Sequence, residues 1–186
     1  MNLNHLIIIG ALCGALLLPS SASSWGFVGL SAGGGPAPGT VLLGLDNSDD
    51  WPSDATSNAD TAYAYCDTGL ATATATTAYI YSRVNSDPVH VCVWSSDGTL
   101  LAVSSAIALT GGAGWKSGTI SIAITQDTSY IIGYVGDSWV YSKHDPSAPS
   151  HPNCAVTNMT YGAEGNLTGG TTCNQSYGNL SVYITN

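Results

Sequence analysis

The sequence predicts an all-β fold, a jelly-roll-like sandwich of about eight or nine antiparallel strands. Three observations carry this. Short stretches of β-branched and aromatic residues alternate with period two, turn-forming residues separate them at short intervals, and no segment shows a helical period.

The strands are expected in this order. Thr40 to Leu45 is apolar and β-branched, and Thr61 to Cys66 alternates Ala with Tyr. Leu70 to Val84 is a long period-two stretch of Thr, Ala, Tyr and Ile. Val89 to Trp94 places Val89, Val91 and Val93 on one face and His90, Cys92 and Trp94 on the other. Ser95-Ser-Asp-Gly98 is a hairpin turn signal in which Gly supplies positive φ. Leu100 to Ser104, Gly118 to Ile124, Ser129 to Val135, Trp139 to Ser142, Val156 to Tyr161 and Leu180 to Thr185 complete the set.

Upstream of the sandwich the composition changes. Leu6 to Leu18 is an almost continuous apolar run, followed by Pro19 and small residues through Ser24. That is the layout of a secretory signal peptide over residues 1–24, cleaved after Ala22 or Ser24, although no Lys or Arg precedes the run. As a retained anchor the run is short for a bilayer. Residues 25–39 combine an apolar piece, Trp25 to Leu30, with a Gly/Pro/Ala tether, Ser31 to Gly39. Residues 40–186 are then one domain, large enough for a single core without a metal or cofactor.

Charge narrows the partners. Only 8% of residues are charged, Lys and Arg total three, and the formal net charge is -9. Such a surface repels phosphate backbones and anionic headgroups, so neither nucleic acid nor, after signal cleavage, a membrane is an expected partner.

Without the signal, Cys66, Cys92, Cys154 and Cys173 remain. An even number in an exported chain implies disulfides. Of three pairings, local loop closure favours Cys66–Cys92 with Cys154–Cys173. Asn158, Asn166, Asn174 and Asn179 each open an Asn-x-Ser/Thr sequon without Pro, marking the C-terminal region for N-glycosylation in a host that performs it. Asp46, Asp50 and Asp54 form an acidic loop with the oxygen ligands calcium uses, but the Gly and Glu of a calcium loop are missing, and a solvated turn is the favoured reading.

Catalytic patterns are missing from the sequence. There is no Gly-x-Ser-x-Gly elbow, no His-Glu-x-x-His and no Gly-rich phosphate loop. Glu164 is the sole glutamate. His144 and His151 fall in a Pro-rich stretch, and His90 reads as a structural cross-strand residue. The chain is therefore not expected to be an enzyme, nor to use a cofactor beyond the weak calcium motif.

Three segments together, Val89-His-Val-Cys-Val-Trp-Ser-Ser-Asp-Gly-Thr-Leu-Leu-Ala102, Gly114-Trp-Lys-Ser-Gly-Thr-Ile-Ser-Ile122 and Ile124-Thr-Gln-Asp-Thr-Ser-Tyr-Ile-Ile-Gly-Tyr134, resemble secreted jelly-roll modules of cell-surface and phage or viral surface proteins. The resemblance extends over about residues 60–186, and its cysteines and sequons depart from the pattern. It implies a carbohydrate-binding-like fold, often of unassigned function, and fold alone does not assign a ligand.

Two functions follow as expectations. One is an extracellular structural or surface glycoprotein that self-associates into a fibril by donating an N-terminal strand, with Trp25, Phe27, Val28 and Leu30 as donor side chains. The other is a glycan-binding module with Trp94 and Trp139 as candidate platforms for sugar rings, although a place in the sandwich core is the favoured reading for any one tryptophan.

Overall fold

The computed structural model describes residues 39–45, 53–57, 59–83, 87–145, 153–157, 159–167 and 179–186. Residues 1–24, read as a signal peptide, and 25–38, the apolar piece and most of its tether, lie outside them. Among the described residues the chain is all strand, turn and irregular backbone, with no helix.

The strands are β1 (Val41–Gly44), β2 (Ser53–Ser57), β3 (Thr61–Thr68), β4 (Ala73–Ser82), β5 (Val89–Ser95), β6 (Leu100–Val103), β7 (Gly114–Ile124), β8 (Ser129–Gly136), β9 (Val140–Asp145), β10 (Asn153–Thr157), β11 (Asn179–Leu180) and β12 (Val182–Thr185). They form two antiparallel sheets. The five-stranded sheet runs β10-β3-β8-β5-β6. The seven-stranded sheet runs β1-β12-β4-β9-β11, with β7 on β4 and β2 on β9. The link from β4 to β9 is one residue pair, Ser82 with Ser142, so β1, β12, β4 and β7 form the main body of that sheet.

The strand number exceeds the expectation because of short polar pieces. β2, Ser-Asp-Ala-Thr-Ser, has no apolar alternation to announce it. The strand expected at Val156 to Tyr161 lies earlier, at Asn153–Thr157, and residues 159–167 run as irregular chain. β7 begins at Gly114, earlier than the Ile-rich half suggests.

Two apolar clusters hold the domain together. The larger joins the facing sides of the two sheets. Val89, Val91 and Val93 of β5, Ile132 and Tyr134 of β8 and Tyr65 of β3 meet Ala78 and Ile80 of β4, Ile120, Ile122 and Ile124 of β7, and Val182 and Ile184 of β12. The second lies on the other side of the five-stranded sheet, where Ala62, Ala64, Cys92, Trp94, Ile131 and Val135 pack under Met159 and Leu167. The alternation read for β5 is borne out, and both of its faces are buried.

Close approach decides two glycines. A Cβ on Gly133 of β8 would stand 2.1 Å from the carbonyl oxygen of Tyr63 and 2.5 Å from Cα of Ala64 on β3. Gly44 ends β1 at φ 95°, past a register shift against β12, and a Cβ there would fall 2.3 Å from the carbonyl oxygen of Val182. The same carbonyl accepts Leu45 N–H at 3.0 Å and, across the core, the hydroxyl of Tyr65 at 3.0 Å. Tyr65 is fully buried, and this bond to the opposite sheet satisfies its polar end.

That bond predicts a measurable cost. Tyr65→Phe keeps the ring and removes the hydroxyl, while Val182 retains Leu45 as donor. We expect a loss of about 1 kcal/mol, seen as a lower urea midpoint at unchanged slope. An unchanged midpoint would show that the inter-sheet bond contributes nothing.

Candidate functional site

The densest polar arrangement among the described residues lies on the outer face of β5. Strand alternation puts His90, Cys92 and Trp94 there together. Residues 159–167 cross this face as a strap. Asp60, at φ 51°, holds one end: its carbonyl accepts Met159 N–H at 3.0 Å and its Oδ1 accepts Tyr161 N–H at 2.9 Å. The other end is tied to the β5–β6 hairpin, where Leu167 N–H donates to Gly98 O at 2.8 Å and Asn166 Oδ1 accepts Leu100 N–H at 2.9 Å. The hairpin has the expected turn, with Gly98 at φ 88°. Asp97 accepts from Ser95 Oγ and from Thr99 N–H, bonds that hold its carboxyl below the usual range.

Between these ties, His90 Nδ1 donates to Glu164 Oε1 at 2.7 Å, with side-chain exposures of 16% and 6%. The His90 ring stacks on Tyr161, centroids 4.4 Å apart. Gly162 N–H donates to the same Oε1 at 2.8 Å, and Trp94 Nε1–H donates to Gly165 O at 2.9 Å. Burial raises the Tyr161 phenol, with the charges of Asp137 and Glu164 adding to it.

A thiol, an imidazole and a carboxylate in one cluster resemble nucleophile chemistry, but the electrostatics run the other way. Cys92 is fully buried, and its weak S–H contact goes to His90 O at 3.9 Å. Burial pushes its thiol far up, and the Glu164 carboxylate pushes it further. A reactive cysteine needs exposure and a stabilised thiolate. The arrangement is a latch that closes the strap over the sheet. No group of three or more His, Cys, Asp or Glu side chains that could hold a metal occurs among the described residues.

Two sequence expectations are corrected here. Trp94, a candidate sugar platform by sequence, takes the core place favoured for any one tryptophan: it is 0% exposed under the strap with its indole N–H engaged. The Cys66–Cys92 disulfide is likewise absent, because Cys92 is a free thiol. Cys66 on β3 pairs with Ile131 and Cys92 on β5 with Gly133, so β8 lies between them. Two strand spacings are about 9.6 Å, beyond the reach of roughly 7 Å for a disulfide. Cys66 is disulfide-bonded. Its partner therefore lies among the other cysteines. Cys154 is on β10, beside β3 and in register with Ala64, and Cys173 is outside the described residues.

The remaining expected residues are dispersed. Trp139, between β8 and β9, is 56% exposed. Asn166 is exposed on the strap, and Asn179 is in β11, in register with Asp145. Asp54 is in β2, in register with Lys143. Asn158, Asn174, Asp46, Asp50 and the donor residues Trp25, Phe27, Val28 and Leu30 lie outside the described residues.

The sequence reading missed the role of Glu164, which sits 74 residues from His90. It also missed an aromatic group on the outer face of the seven-stranded sheet. There Tyr79 stacks on Tyr183 at 4.7 Å, and Trp115 meets Tyr183 and Tyr81 edge to face at 4.8 and 5.6 Å. Its signal was present in Tyr79-Ile-Tyr81 and Val182-Tyr-Ile184, where Tyr takes the face opposite Ile and Val.

No protein-family model matches the chain, and neither does any curated protein or solved structure.

The latch can be probed through Cys92. Native protein should resist iodoacetamide at that thiol until denaturant is added. Glu164→Gln loosens the strap and removes the charge opposing the thiolate, so Cys92 should label about tenfold or more faster, a loss of at least 1.4 kcal/mol of protection. Equal labelling rates would mean that the strap is held without Glu164.

Proposed function

We propose that the chain is an extracellular structural subunit, exported with loss of residues 1–24, that assembles by strand addition at a sheet edge. The observation that carries this reading is the uneven treatment of the edges. β1 is closed where Leu42 O accepts Leu70 N–H and Gly44 N–H donates to Asp67 Oδ2. β7 is closed where Ser105 N–H donates to Thr119 O and Thr119 N–H donates to Ser105 Oγ. β2 and β10, by contrast, each keep a regular register over five residues with one neighbour and have no second neighbour among the described strands. Such edges are templates for another chain.

The donor in this proposal is Trp25–Leu30, whose apolar side chains need a surface to cover them. The tether Ser31–Gly39 gives it reach, at about 3 Å per residue if extended. Head-to-tail donation is a heterologous contact, which propagates when it does not close. The strand order β1-β12-β4-β7 over β3-β8-β5-β6 supports reading the sandwich as a jelly roll, two interlocked Greek keys.

Electron microscopy tests the proposal. Secreted wild-type protein should form fibres, and a chain beginning at Gly39 should not. Fibres that persist without residues 25–38, or a wild type that stays monomeric at high concentration, would overturn it.

The exposure of Trp139 favours a second reading, a glycan-binding module. On a glycan array, saturable binding that Trp139→Ala weakens about tenfold or more would support this reading. An array without saturable binding, or binding indifferent to Trp139, would remove it.

A further inference from the structure

Glycosylation and edge protection meet at one residue. Asn166 opens an Asn-x-Thr sequon and is exposed on the strap. The next residue, Leu167, is buried in the outer cluster and bonded to Gly98, so the backbone beneath Asn166 is anchored. The side chain is oriented as well, because its Oδ1 accepts Leu100 N–H at 2.9 Å. An N-linked sugar replaces one hydrogen on Nδ2 and leaves Oδ1 an acceptor, so this bond is compatible with the modification.

Leu100 is the first residue of β6, the end strand of the five-stranded sheet. β6 is paired by β5 and by no other described strand. Ser104 N–H turns back to Val91 O of β5, so alternation leaves the backbone groups of Val103 on the outer side, and past the register shift between Val93 and Trp94 the Leu100 N–H also turns away from β5, to Asn166. Leu101 is also 45% exposed. A four-residue edge carrying an exposed leucine invites unwanted pairing unless something covers it.

We propose that Asn166 carries an N-linked glycan that covers the β6 edge and denies it to incoming strands. The Leu100 bond holds the attachment point against that edge, so the first sugar lies over Leu101, and the bulk of the chain excludes a neighbouring backbone. Its part in directing assembly to other edges rests on the strand-addition reading above, whereas the covering of β6 does not.

The test uses the full chain from an N-glycosylating secretory host. Wild type is compared with Thr168→Ala, which removes the sequon and keeps Asn166, and with Asn166→Asp, which removes the attachment amide and keeps an acceptor for Leu100. Glycopeptide mass spectrometry should find Asn166 occupied in wild type. Both variants should then associate into larger species at about tenfold lower concentration by sedimentation velocity. Leu101→Lys, placing a charge on the same edge, should restore wild-type behaviour in the Thr168→Ala background. An unoccupied Asn166 beside an occupied second sequon would overturn the proposal. So would variants that associate like wild type, or association that Leu101→Lys does not reverse. Wild type that forms no fibres while the variants still associate more readily would sink the strand-addition reading and leave the guarded edge standing.

Discussion

β5 is buried on both faces, and the layout of this half of the molecule depends on that constraint. Its valines face the opposite sheet, while Cys92 and Trp94 face away from it. A sandwich normally leaves the outer face of each sheet to water. Here that face carries an apolar cluster, so a further layer is obligatory. Residues 159–167 supply it, and their backbone groups need partners because they cross a surface that offers few. Asp60, Gly98, the Trp94 indole and the strap's own Glu164 carboxylate fill that need, while Leu100 and His90 bond the strap's side chains. The buried carboxylate belongs to the same arrangement. Glu164 is tolerated because it accepts from both His90 and Gly162.

The other outer face is handled differently. Tyr79, Tyr81, Trp115 and Tyr183 cover one another through stacked and edge-to-face contacts. Tyr183 is 4% exposed although it points away from the core. One sheet is thus sealed by a separate piece of chain and the other by its own large side chains. Both devices suit a protein with few charges, which has little else with which to dress its surfaces.

Local pattern made much of the framework legible. The two faces of β5, the turn at Gly98 and most strands follow from period two and turn chemistry, because those signals act between neighbours in sequence. Pairing did not follow. Trp94 and Cys92 carry no local mark of being roofed over, since the roof arrives from residues 159–167. His90 read as a structural cross-strand residue, and its partner, Glu164, lay too far along the chain to be named. The favoured disulfide failed for a related reason: nearness in sequence stood in for nearness in space, and β8 intervenes between β3 and β5. β2 was missed because a short polar strand is defined by its neighbour rather than by its own side chains.

The position of β12 governs when this domain can come into being. β12, Val182–Thr185, lies between β1 and β4, with Thr185 opposite Val41, the first residue of β1. The seven-stranded sheet therefore cannot join β1 to β4 until residues 182–185 are in place. Such non-local pairing makes folding slow relative to helical domains. During that interval Ile80, Ile120, Ile122 and Ile124 await the residues that will cover them. A net charge of -9 sets such unfinished molecules to repel one another, a use for acidity beyond the carboxylates that bond within the fold.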